Sequence, residues 1–271
     1  MLELDATEIF SAINLNEPKK LIGIKLFDEI NSTNDYLKKN NFAGQQPFQV
    51  VIADHQTAGR GQYGKKWVSE KNKGLWMSLA FNIKKEPRLT QLSLLVGHTV
   101  AKKLLELGVK NIGLKWPNDL IIEGQKLGGI LIDSVAYKRD YLKVIIGLGI
   151  NISLPSKTNE VFSGDDLKPI ALGTMMNKVP ALNFLAAQCI ESMYHAIEEF
   201  QQKNFSILSK EWAEFDLLYG QQVIVKTLNE KLEGLAQGIS SEGELLVLNT
   251  KGLHHVASGS VRELNNKAIT C

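Results

Sequence analysis

The run Gln56-Thr57-Ala58-Gly59-Arg60-Gly61-Gln62-Tyr63-Gly64-Lys65-Lys66-Trp67 carries the strongest chemical signal in the sequence. Its three glycines free the backbone to approach a ligand, while Arg60, Lys65 and Lys66 put positive charge where phosphate or carboxylate oxygens would lie. The pattern is that of an anion cradle, with a solvated basic turn as the plain alternative. It is not a Walker loop, because no Gly-Lys-Ser/Thr closes it and a strand pattern rather than a helix follows. Downstream, Lys115-Trp116-Pro117-Asn118-Asp119-Leu120 ends a strand in a proline turn with one cation and one carboxylate, ordinary turn chemistry when taken alone. Lys126-Leu127-Gly128-Gly129-Ile130-Leu131 and Gly147-Leu148-Gly149-Ile150-Asn151 place small residues in strands, which suits close approach to a ligand, a bulge or tight strand packing. The polar knot Ser32-Thr33-Asn34 offers hydroxyl and amide groups and, equally, a helix cap.

Nucleophilic catalysis finds no support. The five histidines, His55, His98, His195, His254 and His255, form no Ser-His-Asp or Cys-His arrangement, and Cys189 and Cys271 have neither metal nor redox spacing nor a motif nearby. No dedicated metal ligand set is visible. Nothing at the start resembles a signal peptide, so a reducing cytoplasm is expected. No apolar run approaches the roughly 20 residues that span a bilayer. A formal charge of +2 gives no global field for nucleic acid or anionic membrane, so an anion site must be local.

These residues need a scaffold, and 271 residues with 44% hydrophobic content suffice for a main domain with an appendage. The patterns predict a short helix over Thr7–Leu15 and a strand over Leu21–Ile30 that leads into a capped turn through Leu37. Strands are expected at Gln49–Asp54 and Gly74–Asn82, with the anion loop joining them. Leu92, Leu95, Val96, Val100, Leu104 and Leu107 keep helical spacing, giving an amphipathic helix over Gln91–Leu107. Strands return at Ile112–Trp116, Leu120–Glu123, Gly128–Val135 and Tyr141–Ile152, with short links that suggest antiparallel neighbours. The stretch Ser153–Pro180 has no clear period, and ordering around a ligand would account for it. Helices over Ala181–Lys203 and about Phe205–Phe215 precede short strands over Gln222–Ser258, which either form a small β barrel or extend the main sheet. The fold class is α+β.

Taken together, the four runs and Ser32-Thr33-Asn34 resemble the biotin protein ligase family in order and spacing, and with the terminal β segment the resemblance covers nearly the whole chain. It implies a class II synthetase-like catalytic domain at 1–217, a mixed and largely antiparallel sheet flanked by helices, with a small SH3-like barrel at 218–271. The implied activity is ATP-dependent biotinylation of a lysine on a biotin carboxyl carrier domain of a biotin-dependent carboxylase, through biotinyl-5′-AMP, with Mg2+ accompanying ATP. A homodimer through the sheet is an arrangement the family allows. The resemblance gives catalytic roles to Arg60, Lys115, Lys126 and Asp119. It places Ser32, Thr33, Asn34, Gln56, Gly59, Arg60, Gly61, Gln62 and Lys126 around biotin, and Arg60, Lys65, Lys66, Trp67, Asn118, Lys126 and Asn151 around the nucleotide. Trp67 and Trp116 read either as core or as a wall against the ligand. A relation in fold to lipoate ligases keeps lipoate or octanoate as the alternative acid, although a site that devotes buried polar groups to a ring should reject acids lacking it.

Two departures matter. The family loop commonly reads Gly-Arg-Gly-Arg followed shortly by Gly-Arg, whereas this chain has Gln62 and Lys65. Glutamine lacks charge and lysine lacks the bidentate fork, so the adenylate is expected to be held less tightly; at the extreme the chain would be a biotin-binding sensor without catalysis. Many relatives also carry an N-terminal winged helix-turn-helix. About twenty residues precede the first strand here, too few for a trihelical DNA reader, so a short form without nucleic-acid binding is expected.

Overall fold

The structure, a computed structural model, describes residues 4–15, 22–40, 47–86, 88–154, 167–202, 210–228 and 230–263. Helix α1 (Ala6–Ala12) starts where Asp5 accepts a hydrogen bond from Glu8 N at 2.8 Å, and strand β1 (Ile22–Ile30) leads into α2 (Thr33–Lys39). Ser32 caps α2 by accepting from Asp35 N, so the polar knot is a cap as well as a group of candidate ligand contacts. Strand β2 (Phe48–Gln56), the anion loop and β3 (Gly74–Lys84) follow, then α3 (Leu89–Glu106). Strands β4 (Ile112–Lys115), β5 (Asp119–Ile122), β6 (Gln125–Lys138) and β7 (Tyr141–Asn151) complete the sheet.

Its order is β1-β2-β3-β7-β6-β5-β4, with β1 and β2 parallel and every other neighbouring pair antiparallel. Residues 74–81 of β3 are buried without interruption, as a central strand covered on both faces requires. Period-two alternation separates the faces. Val50, Ile52, Met77, Leu79, Ile146 and Leu148 belong to the main core with α3 and the long helix α5 (Leu182–Gln202), which follows the four-residue α4 (Leu172–Met175). Val51, Ala80 and Ile145 face the other way and pack on Leu37 of α2.

The terminal strands do not extend the main sheet. Strands β8 (Gln222–Lys226), β9 (Lys231–Ile239), β10 (Leu245–Asn249), β11 (Gly252–Val256) and β12 (Ser260–Glu263) form a second, antiparallel sheet of order β11-β10-β9-β8-β12. Val223, Val225, Leu245 and Val247 nevertheless join the same apolar core as the large sheet. Of the helix expected at 205–215, residues 205–209 lie outside the described residues; 210–212 are helical and 213–215 are a turn. Of the aperiodic stretch, 155–166 lie outside them, and Pro169 bridges to Lys126 at the start of β6.

Candidate active site

Strand register brings the candidate residues together on the α2 face. One row across the sheet is Val51, Ser78, Gly147 and Leu131; the next is Ala53, Trp76, Gly149, Gly129 and Asp119. Glycine is required in both. A Cβ on Gly147 would run into the Asn34 amide, and one on Gly149 would lie 2.8 Å from the Trp67 ring. The absent side chains leave a cavity of about 410 Å3. Its wall includes Ser32, Thr33, Asn34 and Gln56 from the β1–α2 junction and β2, and Arg60, Gly61, Gln62, Lys65, Lys66 and Trp67 from the anion loop. Lys115, Trp116, Asn118, Asp119 and Lys126 complete the set drawn from the motifs.

Hydrogen bonds fix the polar end. Thr33 N donates to Gln56 Oε1 at 2.9 Å, and Gln56 Nε2 donates to Ser69 Oγ at 2.9 Å. Ser78 Oγ lies 2.6 Å from Thr33 Oγ1 and 2.5 Å from Asn34 Oδ1, while Asn34 Nδ2 donates to Asp133 Oδ2 at 2.9 Å. Groups left over still match a cyclic urea. The Ser32 hydroxyl proton and one Gln56 amide proton can donate to a carbonyl, and Thr33 Oγ1 keeps lone pairs for an N–H.

The cations line the same cavity. Arg60 Nη2 is held by Asp35 at 2.6 Å and Asp133 at 3.1 Å. Lys126 Nζ lies 2.6 Å from Asp119 and 5.3 Å from the Trp67 ring centroid. Lys115 is 3.9 Å from Glu263 of β12; burial pulls its ammonium below the ordinary lysine value, opposed by the charges of Glu263 and Asp119. Burial works to raise the Asp133 carboxyl, but hydrogen bonds from Asn34 and Lys38 and the charges of Lys38 and Arg60 prevail, holding it below the usual range. Arg60 Nε and Trp67 Nε1 are buried donors with no protein partner among the described residues, although both side chains line the cavity. Buried donors need acceptors, and a bound anion would supply them.

Two residues assigned to the site stand behind it. Asn151 is outside the cavity wall; its Nδ2 donates to the carbonyls of Lys126 at 3.2 Å and Ile170 at 3.0 Å, which ties β7 to the base of Lys126. Gly59 lets the backbone at Trp67 pass close by, with Trp67 N donating to Gly59 O at 2.9 Å. Asn118 is on the wall, but its amide nitrogen is engaged by Ile130 O at 2.7 Å. Trp116 is both core and wall, 2% exposed, with Nε1 donating to Gly243 O at 3.1 Å.

Sequence reasoning missed Asp35, Ser78 and Asp133, which organise the polar groups, and Gly259–Val261, by which the C-terminal sheet reaches the cavity. Ser78 had one signal, a hydroxyl inside an otherwise apolar run; the others lay in segments with no distinguishing pattern.

Comparison with known proteins agrees with this geometry. The family model described as Biotin/lipoate A/B protein ligase family matches residues 26–151, and that of the Biotin protein ligase C terminal domain matches residues 218–262. The chain is similar to the bifunctional ligase/repressor BirA of Salmonella typhimurium, 29% identical over 90% of this chain and 73% of that one. It is likewise similar to the biotin--[acetyl-CoA-carboxylase] ligase of Mycobacterium tuberculosis, 29% identical over 72% of this chain and 71% of that one. The structure of the biotin protein ligase from Aquifex aeolicus in complex with biotin and ATP superposes with a TM-score of 0.77 at 28% identity, covering 89% of this chain and 98% of that one. With both sheets matched, each by its own family model, and the motif residues gathered in one cavity, the chain belongs to the biotin protein ligase family.

Proposed function

We propose that this chain is an ATP-dependent biotin protein ligase that activates biotin as biotinyl-5′-AMP and transfers the acyl group to a lysine of a biotin carboxyl carrier domain. The observation that carries the reading is one cavity lined both by the urea-matching groups of Ser32, Thr33 and Gln56 and by Arg60, Lys65, Lys66, Lys115 and Lys126. A carboxylate is a poor electrophile until its oxygen is made a good leaving group. An oxygen of the biotin carboxylate attacks the α phosphorus of ATP, the bond to the β-phosphate oxygen breaks, and pyrophosphate leaves. The acceptor amine then attacks the acyl carbon, AMP departs, and the amine loses a proton. No enzyme nucleophile is required, and burial pushes the Cys189 thiol up to about 12, which removes it from contention.

The residues act by position and charge. Arg60 and Lys126 bind the carboxylate and the α phosphate, where negative charge builds; the orphaned Arg60 Nε is a donor ready for one of those oxygens. Lys115 supports the departing phosphate, and Asp119, 2.6 Å from Lys126, orients that ammonium and faces the incoming amine. Trp67 presents a ring edge and its Nε1 proton to the ligand. Mg2+ would enter with the nucleotide and offset phosphate charge; among the described residues no group of three His, Cys, Asp or Glu could cage a metal ion. The setting proposed is cytoplasmic, where ATP and a free Cys189 thiol coexist. A homodimer fits the β6 edge, whose pairing with β5 stops at Gly129; sedimentation with and without biotin and ATP checks it.

Biotin-dependent exchange of labelled pyrophosphate into ATP tests the reading. Exchange with biotin and little with lipoate or octanoate is expected. Exchange with those acids instead makes the chain a ligase for them, and biotin binding without exchange makes it a sensor.

A further inference from the structure

The Arg60 guanidinium meets two carboxylates through one nitrogen. Its Nη2 lies 2.6 Å from Asp35 Oδ1 and 3.1 Å from Asp133 Oδ2, so two acceptors take up the two protons of that amino group. The carboxylates are themselves braced. Lys38 Nζ stands 2.9 Å from Asp133 Oδ1 and 3.6 Å from Asp35 Oδ1, and Asn34 Nδ2 donates to Asp133 Oδ2 at 2.9 Å. A guanidinium grips a carboxylate or phosphate with a two-pronged fork either through Nε with Nη2 or through Nη1 with Nη2, and both forks need a free Nη2 proton. Neither is open here. What remains is Nη1 and Nε, the latter a buried donor without a protein partner among the described residues, on a side chain that lines the cavity. Arg60 can therefore meet a bound carboxylate with single hydrogen bonds only.

We propose that Asp35 is a positioning residue for the activation step: by occupying Arg60 Nη2 it keeps the arginine from chelating the biotin carboxylate, so that one carboxylate oxygen accepts Nε–H while the other keeps its lone pairs free to attack the α phosphorus of ATP. This rests on the ligase reading and adds to it a residue that interprets the arginine. A forked carboxylate has both oxygens tied to donors, which strengthens binding of the acid and weakens it as a nucleophile. In the attack the oxygen–phosphorus bond forms as the bond to the β-phosphate oxygen breaks, and the Nε proton stays on Arg60. Asp35 also stands in the first turn of α2, where any carboxylate suits the helix end, so its role is separated from a helix charge by what its amide does in its place.

Asp35→Ala releases one Nη2 proton and opens a fork, whereas Asp35→Asn keeps an acceptor, since the amide turns its oxygen to the arginine and lysine donors around it. In biotin-dependent pyrophosphate exchange the kcat of Asp35→Ala should fall about tenfold or more while its biotin affinity, measured by calorimetry, tightens; Asp35→Asn should keep kcat within about threefold of wild type. Loss of kcat and affinity together in Asp35→Ala, an unchanged kcat, or an Asp35→Asn protein that loses as much as Asp35→Ala would each overturn the proposal, the last because charge and not acceptor character would then matter. Should Asp35→Ala fail to fold, Asp35→Leu, which also lacks an acceptor, takes its place with the same expectations. A wild type that binds biotin but shows no exchange sinks the ligase reading instead, and the affinities still test the fork. Biotin should bind Asp35→Ala more tightly than Asp35→Asn, while biotinamide, which has no carboxylate, binds both alike; equal biotin affinities would count against the fork.

Discussion

Under the proposed reading Lys126 is the residue on which activation leans most, its ammonium standing 2.6 Å from Asp119 and 5.3 Å from the Trp67 ring centroid on the cavity wall. Lys126→Met keeps the stem and removes the charge, so biotin-dependent pyrophosphate exchange should drop about 10²–10³-fold in kcat, the usual effect of removing one stabilising donor. A fall of less than about fivefold would move the role elsewhere. Gln62 tests the departure in the anion loop. On the cavity wall it offers hydrogen bonds without charge, so Gln62→Arg should slow release of biotinyl-AMP, timed after rapid dilution, and unchanged release would contradict this. Asp133 gives a pH signature. Its carboxyl is held below the ordinary 3.8, so its contribution to stability is present above that value and is lost as pH falls through the lower folded one. The difference in unfolding free energy between wild type and Asp133→Asn should be flat from pH 7 to about 5 and shrink below 3.8; shrinkage already at pH 6 would mean the carboxyl is not held low. That Arg60, Lys115 and Lys126 share one cavity wall was foreshadowed, because each stands in a glycine- or proline-marked run. Asp35 and Asp133 were not, since a carboxylate that orients a cation looks in sequence like any surface acid.

At the scale of elements, the cavity exists because β3, β6 and β7 align small residues in register. Ser78 pairs with Gly147, and Gly147 with Leu131, so one added methyl on β7 meets α2 directly. Gly147→Ala should cost biotin affinity about tenfold or more by displacing the Asn34 amide, read by calorimetry, with the fold retained. Affinity within a factor of about two of wild type would show that α2 can give way. Period-two and helical patterns sufficed for the strands of the large sheet and for α3, because the strands carry apolar runs or alternations with one or two buried faces and α3 a recurring apolar stripe. The parallel pairing of β1 with β2 and the register rows are set by contacts far apart in sequence, which no local pattern encodes. Lys143 shows the same limit. It reads as a surface charge inside β7, yet it is 4% exposed and its Nζ donates to the carbonyls of Leu37 at 2.7 Å and Asn40 at 2.8 Å, fixing the end of the helix that begins at the ring pocket.

On the scale of the whole molecule, the two sheets work as one. The terminal sheet is separate in pairing but shares the apolar core, lends Gly259–Val261 to the cavity wall and sets Glu263 beside Lys115. A division at residue 217 came with the family resemblance; the continuity of the core across it depends on tertiary packing and left no trace in sequence. The β1–α2 junction, the loop before β3 and β12 thus converge on one space. The most direct test of that convergence is to incubate the full chain with biotin, ATP and magnesium and to search for biotinyl-5′-AMP by mass. The account predicts the adenylate with release of pyrophosphate, dependent on biotin and lost in Lys126→Met; a folded protein that binds both substrates and forms none would contradict it.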